Sequence, residues 1–520
     1  MFNFARNLDC LFIVTILSLW IVTGCTTGQR AQSILPPEEA LNQIEIESNP
    51  HIEKSEEMIP NEWWSLFQDP QLTEFLEIAF AKNPTLQAAL TNIMYAKANA
   101  GLVKSSLYPQ IFFGADVSRQ KLSETGIIPF NKNTSGMASA LNADSQPGAK
   151  TTIPGLLPGA GLATPTPGGA DGIPVFFTQY ETEIALTYEF DIWGKNRKKW
   201  LAAIGEIKSK IADTAFIRLE LGIAITQAYY RIQTNYRRKV LAKQLVQNKE
   251  QKIQFIKDRI KGNLDPIQAL EQTKIELASA QQYLLNIEKA LAIDEYQLKA
   301  YLANDFLENV AEKPIEELPL PKIPFPNDLP LHLISQRPDI IAQIWLIEAA
   351  DNLIDVAKIG FYPDFNLFAL FGYQTLHLHK LFNWKSSYFN VDPAVTLPIF
   401  DGGRLMANLR ESEVNYDLEI FQYNQLVINA AQEVLTSLTV LKNNQEQLES
   451  FKEQVNQQER IFDLTQLRIR HHLDSGLNYL AQEETLLYAR DQELTALGNT
   501  IQSILLLIKA LGGGYDPCYI

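Results

Sequence analysis

Two pairs of histidines are the side chains in this sequence whose type best suits metal binding. His377 and His379 alternate at the end of a strand-like run, and His471 and His472 are adjacent between two helix-like runs. A protein zinc site draws its ligands from Cys, His and carboxylate side chains at recognisable spacing. Neither pair has a carboxylate or cysteine partner at such a spacing. We therefore predict no metal site and no cofactor.

Residues for covalent catalysis are also missing. The sequence contains no G-x-S-x-G nucleophile elbow. The glycine-rich "GGGY" at residues 512–515 follows a predicted helix instead of opening one, which is typical of a helix stop and not of a phosphate loop. The three cysteines, Cys10, Cys25 and Cys518, form neither a disulfide framework nor a CxxC metal pattern. We therefore expect that the chain is not an enzyme. The alternative of a lipid-anchored hydrolase is disfavoured because the sequence has no arrangement of residues that would activate a nucleophile.

Aspartate and glycine recur where a strand-like run meets a helix-like run. The motifs are "YEFDIWGKNR" at residues 188–197 and "LPIFDGGRL" at residues 397–405. Glycine lets a chain turn sharply, and aspartate caps the free amides of a new helix. The sequence therefore predicts two strand-to-helix corners, formed by Asp191, Gly194, Asp401, Gly402 and Gly403.

An internal repeat explains why this corner occurs twice. "KNPTLQAALTNIMYAKANAGLVKSSLYPQIFFGA" from Lys82 aligns without a gap to "QRPDIIAQIWLIEAADNLIDVAKIGFYPDFNLFA" from Gln336, and "RIKGNLDPIQALEQ" aligns to "RIRHHLDSGLNYLAQ". We predict one repeat over residues 61–325, with helices to about 303, and a second over residues 326–515, with helices to about 511. Each repeat reads as helix, strand, loop, strand, very long helix, tip and helix, and residues 516–520 form a tail.

Four runs alternate between apolar and polar residues, and we expect strands at about 110–118, 181–190, 365–373 and 388–400. Their length and two-faced pattern are typical of transmembrane β-strands, although a half-buried soluble sheet gives the same alternation. Four strands cannot close a barrel, so membrane insertion would require several chains to share one. The Gly- and Pro-rich residues 119–178 are predicted to form a long external loop.

Each repeat also contains a proline-free helical run of about sixty residues, close to 100 Å long. Apolar residues recur every seven positions from Ile420 to Ile469, and from Ile204 to Ile260 with interruptions at Arg218 and Lys239. A sustained period of seven indicates coiled-coil packing. A strong apolar stripe beside a more polar one favours the wall of a hollow helical tube, with a plain coiled coil as the alternative.

The N-terminus has the features of a bacterial export signal. Arg6 precedes an apolar run at residues 11–22 that is too short for a permanent membrane span, and "VTGC" follows at residues 22–25. This motif resembles the lipobox of bacterial lipoproteins, which predicts a signal peptide at residues 1–24, lipidation at Cys25 and a tether over residues 25–60. The net charge of −15 argues against nucleic-acid binding.

The lipobox, "WWSLFQDPQL", the paired "NP…YPQ" and "RPD…YPDF", "FDIWGKNR", "PIFDGGR" and "ALGGGY" together resemble the TolC-like outer-membrane efflux factors, in their OprM/NodT-like lipoprotein branch. The resemblance covers nearly all of residues 25–515. It implies a mainly α fold with a membrane β-barrel part and duplicated helix–strand–strand–helix–helix halves. Four strands per chain would enter a shared twelve-stranded trimeric barrel, continuous with a long α-helical coiled-coil barrel.

The resemblance also implies function and partners. Such a homotrimer would be a passive duct of a tripartite efflux system, lipid-anchored in the outer membrane of a Gram-negative bacterium and extending into the periplasm. Its partners would be a periplasmic adaptor protein, an inner-membrane transporter (the RND type being favoured) and outer-membrane lipid. The alternatives are the channel of a type I protein secretion system and a non-channel structural coiled-coil lipoprotein. The alternating strands favour a channel, since a spacer has no need of lipid-facing runs.

Two inter-helix tips carry the functional residues that the resemblance implies. Leu477 falls at the family's hydrophobic gate position, with Asp474, Glu483 and Glu484 close by; ordinary helix packing is the alternative role for Leu477. The family's gate acid falls on Ala481, and its nearby arginine falls on Glu484, so an ionic latch is in doubt. The implied adaptor-docking residues, which by themselves are simply parts of tight turns, are Gly262, Leu264, Asp265, Leu473, Ser475 and Gly476.

Overall fold

The computed structural model describes residues 52–54, 59–121, 176–303, 318–325 and 336–515. The predictions for the signal peptide, for Cys25, for most of the tether, for the interior of the long loop and for the tail concern residues outside these ranges. The chain divides into two compact units. Of the described residues, those up to 104, from 195 to 360 and from 401 onwards form a helical unit, and those from 105 to 194 and from 361 to 400 form a strand unit.

Helices and strands occur in the order that the repeat predicts, with two additions. The helices are α1 (Pro70–Lys82), α2 (Pro84–Ser105), α3 (Lys195–Lys261), α4 (Ile267–Leu302), α5 (Pro338–Ile359), α6 (Arg404–Arg470) and α7 (Gly476–Ala510). The strands are β1 (Ile52–Lys54), β2 (Gln110–Lys121), β3 (Phe176–Phe190), β4 (Ile323–Phe325), β5 (Asp364–Thr375) and β6 (Ser387–Thr396). The additions are α1, which precedes the first helix of the repeat, and the parallel pair of β1 with β4, which no sequence pattern predicted.

The start of α1 is fixed by a helix cap that also binds α3. The Asp69 carboxylate accepts hydrogen bonds from the amides of Gln71 and Leu72, which satisfies two of the free donors at the start of α1. Pro70 occupies the first helical position, where its missing N–H costs nothing. The Tyr229 hydroxyl on α3 donates to the same carboxylate at 3.0 Å. Burial and the charge of Asp69 raise the pKa of Tyr229.

The helical core forms where α1, α3, α4, α6 and α7 meet. The ring of Phe67 stacks on that of Tyr230 at 5.2 Å between centroids, and both side chains are fully buried. Ile59 is buried in the same core, so packed structure begins before residue 61, inside the range predicted as a tether. Ile323 of β4 is buried there too. The burial of Ile323 explains how β4, on which β1 pairs, is held against the helices.

The two long helices, α3 and α6, are each 67 residues long. On α6 the predicted heptad positions are buried from Ile420 to Val455, and Phe462 and Ile469 are half-exposed. On α3 the predicted seam is not continuously buried: Ile225 and Ile232 are buried, and the other heptad isoleucines and Val246 are half-exposed. The reason is that α3 packs on α4, α5 and α7, so its buried face changes along its length.

The "GGGY" motif ends α7 as predicted. The Gly513 amide donates to the Ile508 carbonyl at 3.0 Å, a bond typical of a helix C-terminus closed by a left-handed residue. Gly514 lies so close to the chain that a Cβ there would be 2.1 Å from the Ile59 carbonyl oxygen. Nearby, the buried Arg337 guanidinium binds Asp339, Glu433 and the Ala510 carbonyl. The motif is therefore structural.

The strand unit is one antiparallel sheet in the order β2-β3-β5-β6. Its register aligns Phe113, Ile184, Phe371 and Phe389 across all four strands. The next row on this face aligns Ile111, Leu186, Ala369 and Val391. Phe113 and Phe389, on the outer strands, are 73% and 78% exposed. One face of the sheet is therefore apolar and open.

The opposite face is polar. Its rows align Asp116, Glu181 and Gln374, and then Gly114, Glu183, Gly372 and Tyr388. The Tyr388 hydroxyl donates to the carboxylates of Glu181 and Glu183. The bond reaches from β6 to β3 because the intervening β5 has glycine at position 372. This alternation agrees with the faces predicted from the sequence.

Three strand limits differ from the predicted ones by three residues or more. β2 extends to Lys121 and β3 begins at Phe176, so the ends of the predicted loop 119–178 belong to strands. β6 ends at Thr396, and residues 397–400 are not strand. Thr396 pairs with Asp364, the first residue of β5, so no partner remains for Leu397, and Pro398 has no N–H to donate.

None of the helices in the described ranges has an apolar stretch long enough to cross a membrane.

Candidate functional site

The first candidate feature is the turn between α3 and α4. Asn263 adopts a left-handed conformation, and the Leu264 amide donates to the Arg259 carbonyl at 2.9 Å, which closes the helix end. The Arg259 guanidinium then binds both oxygens of Asp265, at 2.7 and 3.0 Å. Hydrogen bonding to Arg259 holds the pKa of Asp265 below its ordinary value. This geometry leaves the Leu264 side chain 66% exposed at the tip.

The turn between α6 and α7 has the same construction. His472 is left-handed, and the Leu473 amide donates to the Arg468 carbonyl at 2.8 Å. Arg468 forms an ion pair of 3.2 Å with Asp474, and the Leu473 side chain is 68% exposed. Bonds from the Ser475 amide and the Asn478 side chain, together with Arg468, hold the pKa of Asp474 below its ordinary value.

Each of the two tips is therefore closed by an ion pair between an arginine and an aspartate. The two arginines were not identified as functional residues from the sequence. In "RIKGNLD" and "RIRHHLD" an arginine precedes the aspartate by six positions. Both the arginine and the aspartate are present in the aligned stretches. Residues six positions apart are not expected to be in contact, however, and it is the turn that brings the two side chains together. The predicted docking residues around them lie on the same two turns. Gly476 differs in packing tightly, because a Cβ there would be 2.8 Å from the Phe255 ring.

The predicted gate residues lie on the tip and the first three turns of α7. Leu477 is half-buried, and its neighbour Tyr479 contacts the ring of Phe462 at 5.2 Å. Glu483 accepts a hydrogen bond of 2.8 Å from the Asn248 side chain on α3. Glu484 accepts one of 2.6 Å from Lys249, also on α3. Asp474, Glu483 and Glu484 are thus each bound to a partner within the chain.

Glu484 belongs to an ionic network that joins three helices. Lys249 has only 3% of its side chain exposed and also binds Glu276 on α4 at 2.8 Å; Lys252 binds the same carboxylate at 2.9 Å. Burial alone would lower the pKa of Lys249, but the hydrogen bonds that its ammonium donates to Glu276 and Glu484 outweigh burial, and the pKa is raised. Burial would raise the pKa of Glu276, but its two lysines outweigh it, and the pKa is lowered.

A second network lies further along the same helices. The Arg238 guanidinium on α3 donates to Asp491 on α7 at 2.9 Å and to the Tyr283 hydroxyl on α4 at 2.8 Å. The Tyr283 hydroxyl in turn donates to Asp491 at 2.5 Å. Burial and hydrogen bonding to Asp491 raise the pKa of Tyr283 to about 12. Together the two networks fix α3 to both α4 and α7.

The predicted strand-to-helix corners have left-handed glycines. At the second corner Gly402 and Gly403 have φ of 66° and 89°, and Asp401 accepts hydrogen bonds from the amides of Gly403 and Leu405. These bonds hold the pKa of Asp401 below its ordinary value. The capping prediction for Asp401 is confirmed. At the first corner Gly194 has a φ of 81°, and its amide donates to the Asp191 carbonyl at 3.3 Å.

The histidines are not joined by further metal-binding groups. The rings of His377 and His379 are 5.8 Å apart between centroids. Within the ranges that the structure describes, no group of three or more His, Cys, Asp and Glu side chains could hold a metal ion.

Long helical hairpins with ion-paired tips, joined through Asp/Gly corners to a two-faced four-stranded sheet, define a class of envelope channel proteins. The chain belongs to the outer membrane efflux protein family, whose model matches residues 175–304 and 329–513. The fold is thus the TolC-like one expected from the resemblance, mainly helical with duplicated halves.

Similar proteins cover almost the whole chain. The multidrug resistance outer membrane protein MdtQ of Escherichia coli O157:H7 is 30% identical over 465 residues, which cover 88% of each protein. MdtP of Escherichia coli K12, also described as a multidrug resistance outer membrane protein, is 26% identical and covers 98% of each.

Two solved structures are similar in fold. The outer membrane protein VceC of Vibrio cholerae has 26% identity and a TM-score of 0.69, covering 87% of this chain and 99% of its own. The open MtrE outer membrane channel of Neisseria gonorrhoeae has 20% identity and a TM-score of 0.75, covering 95% of this chain and 99% of its own.

Proposed function

We propose that three copies of this chain form the outer-membrane channel of a tripartite efflux system. The observation that carries the proposal is the sheet: one face is apolar across four strands, and β2 and β6 each pair along one edge only within the described residues. An unpaired strand edge in lipid leaves backbone groups without hydrogen bonds. Pairing β6 of one chain with β2 of the next would satisfy both edges, and three copies would close twelve strands around a lumen.

The polar face of the sheet supports a water-filled interior. With the apolar face towards lipid, Asp116, Glu181, Glu183 and Tyr388 would line the lumen, as expected for strands that alternate between lipid and water. Such a channel is a passive duct, so substrate would be driven through it by an inner-membrane transporter, with a periplasmic adaptor between the two. The names of MdtQ and MdtP support efflux over protein secretion.

The lipid anchor and the docking tips complete the proposal. Cys25 would carry the lipid that attaches the N-terminus to the outer membrane. The adaptor would bind the two tips, where Leu264 and Leu473 are exposed and the Arg259–Asp265 and Arg468–Asp474 pairs fix the turns. An exposed leucine on a rigid turn offers an apolar contact at a low entropic cost.

We further propose that the closed state is sealed by Leu477 and not by an ionic latch between subunits. Asp474, Glu483 and Glu484 already have partners within the chain, so a neighbouring subunit would compete with these partners for the same carboxylates. Three leucine side chains converging on the trimer axis would exclude water and stop ions by dewetting.

Single-channel recording tests both parts of this proposal. The mature protein is purified in detergent and inserted in planar bilayers as wild type, as Leu477→Ala and as Leu285→Ala, a control that truncates a leucine exposed on α4. We expect trimers whose pores are mostly closed in wild type and in the control, and which open several-fold more often in Leu477→Ala.

The outcomes separate the two claims. If the trimers conduct and Leu477→Ala behaves like wild type, the gating role of Leu477 is overturned and the channel function is retained. A water-soluble monomer without conductance would overturn the channel itself.

A further inference from the structure

The loop between β5 and β6, residues 376–386, presents large apolar side chains to solvent. Phe382 and Trp384 are 78% and 75% exposed, and Leu378 is 62% exposed. The loop joins the strand ends opposite to those where the chain continues into helices. In a barrel it would therefore lie at the outer-leaflet end of the strands. Outer-membrane barrels have their external loops at this end and their short periplasmic turns at the other. We call residues 376–386 the loop surface.

Hydrogen bonds hold the loop surface in one shape. The Lys385 amide donates to the Asn383 side chain at 3.0 Å, and the Ser386 hydroxyl donates to the Lys380 carbonyl at 2.9 Å. Leu381 is buried beneath, and the Phe382 ring packs edge-on against Tyr373 at 5.9 Å. The exposed apolar side chains are thus displayed by two fixed 3₁₀ turns, so little conformational entropy would be lost when they bind a partner.

The charge of the loop surface differs from that of the chain. The protein as a whole is acidic, with 60 Asp and Glu against 45 Lys and Arg, but residues 365–391 contain no acidic residue. Lys380 and Lys385 are exposed and form no ion pair with any residue that the structure describes. On the helices some exposed lysines do bind an acid on their own helix, as Lys210 binds Asp213 and Lys274 binds Glu271.

We propose that the loop surface binds the phosphate-bearing head groups of outer-leaflet lipid. Trp384 and Phe382 enter the boundary between head groups and acyl chains, where aromatic side chains are favoured, and Lys380 and Lys385 bind the phosphates. The inference rests on the proposed function, because only a membrane-inserted barrel brings the loop to that boundary. A free phosphate would use the lysines and leave the aromatic side chains without a role, which is why a lipid fits better.

Lipid titration of the purified full chain tests the inference. Trimers in neutral maltoside micelles are titrated with bis-phosphorylated lipid A and, separately, with its dephosphorylated form. The variants are Lys380→Gln/Lys385→Gln, Phe382→Ala/Trp384→Ala and a matched control, Lys210→Gln/Lys274→Gln. Bound lipid is counted by native mass spectrometry, and each variant is also recorded in phosphatidylcholine bilayers.

We expect the dissociation constant for phosphorylated lipid A to rise about 30-fold in the double-lysine variant, since each lysine near an anionic surface contributes about 1 kcal/mol. The control should bind like wild type, and the dephosphorylated lipid should bind wild type more weakly. The aromatic variant should lose affinity for both forms, because the contact it removes is apolar.

Equal binding of phosphorylated lipid by wild type and the double-lysine variant would overturn the inference. A change in conductance without a change in lipid affinity would overturn it too, since the loop would then face the lumen. These results differ from failure of the proposed function, in which the wild type itself forms no conducting trimer.

Discussion

Gly372 shows at the residue scale how a missing side chain permits a contact between distant strands. A Cβ at this position would lie 2.5 Å from the Thr182 carbonyl oxygen and 2.9 Å from the Tyr388 ring. The Tyr388 hydroxyl can therefore reach Glu181 and Glu183 only because β5 has glycine between them. Nothing in the sequence around "LFGYQ" distinguishes this glycine from one at a bend, because the cross-strand neighbour is set by register.

We predict that Gly372→Ala destabilises the sheet, and with it the proposed trimer, by about 1–3 kcal/mol, the usual cost of overpacking a tight site. The matched control is Gly114→Ala in the same row of the sheet, where the new Cβ meets only the flexible Glu183 side chain, at 3.3 Å. The temperature at which trimers dissociate on gels measures the effect. Equal dissociation temperatures for the two variants would show that the close approach at Gly372 has no energetic role.

Helix packing decides at the element scale which parts of the sequence pattern were informative. α6 has one continuous apolar stripe and buries it from Ile420 to Val455, so its seven-residue period predicted the packing correctly. α3 packs on three helices and binds two of them through Lys249 and Arg238. Charged residues at such helix crossings do not recur at regular intervals along the sequence. For this reason the networks around Glu276 and Asp491 could not be predicted from the sequence.

We predict that Lys249→Met destabilises the packing of α3 on α4 and α7 by about 2 kcal/mol. Removing one partner of a fully buried pair costs about 3–5 kcal/mol, and the cost here is lower because Glu276 and Glu484 are partly exposed. Lys252→Met is the control, since it leaves Lys249 on the same carboxylate. Urea unfolding followed by far-UV circular dichroism compares them, and equal midpoints would contradict the role given to Lys249.

The same unfolding experiment, repeated across pH, checks the sign of the electrostatic contribution. The folded-state pKa of Glu276 is lowered from its ordinary 4.5, so its stabilising effect is fully present above pH 4.5 and is lost as the pH falls through the lower folded value. The free energy of unfolding of the wild type should therefore fall as the pH drops below 4.5. In Lys249→Met this fall should be smaller. A larger acid loss in Lys249→Met would contradict this assignment.

The duplicated halves determine the architecture at the scale of the whole molecule. The helical unit takes long helices from both repeats, and the strand unit takes two strands from each, so neither repeat is a compact unit by itself. The sheet has apolar residues open on one face and two outer strands, and this accounts for the proposed trimer. Membrane attachment would then come from two sources, the closed barrel and the lipid at Cys25.

We predict that Cys25→Ser abolishes acylation but leaves trimers in the outer membrane. The lipid is dispensable for membrane insertion if the barrel closes, because a closed barrel leaves no strand edge in the bilayer and holds the protein there by itself. Metabolic labelling with radioactive palmitate measures acylation, and membrane fractionation measures location. Cys518→Ser is the matched control and should be labelled like wild type. Label that persists in Cys25→Ser, or disappears in Cys518→Ser, would place the lipid elsewhere.

The sequence by itself determined the features that depend on local order. These are the period of seven along α6, the two-residue alternation of the strands, the cap at Asp401 and the glycine stop after α7. Each depends on residues a few positions apart, and neighbouring residues along a chain are fixed by covalent geometry.

Only the tertiary structure decided which distant residues meet. It paired β1 with β4, ended β6 at Thr396, joined Lys249 to Glu276 and Glu484, and showed that Asp474, Glu483 and Glu484 have partners within the chain. The physical reason is that a charged or polar side chain is satisfied by whichever group packing brings within about 3 Å, and that choice has no period along the sequence.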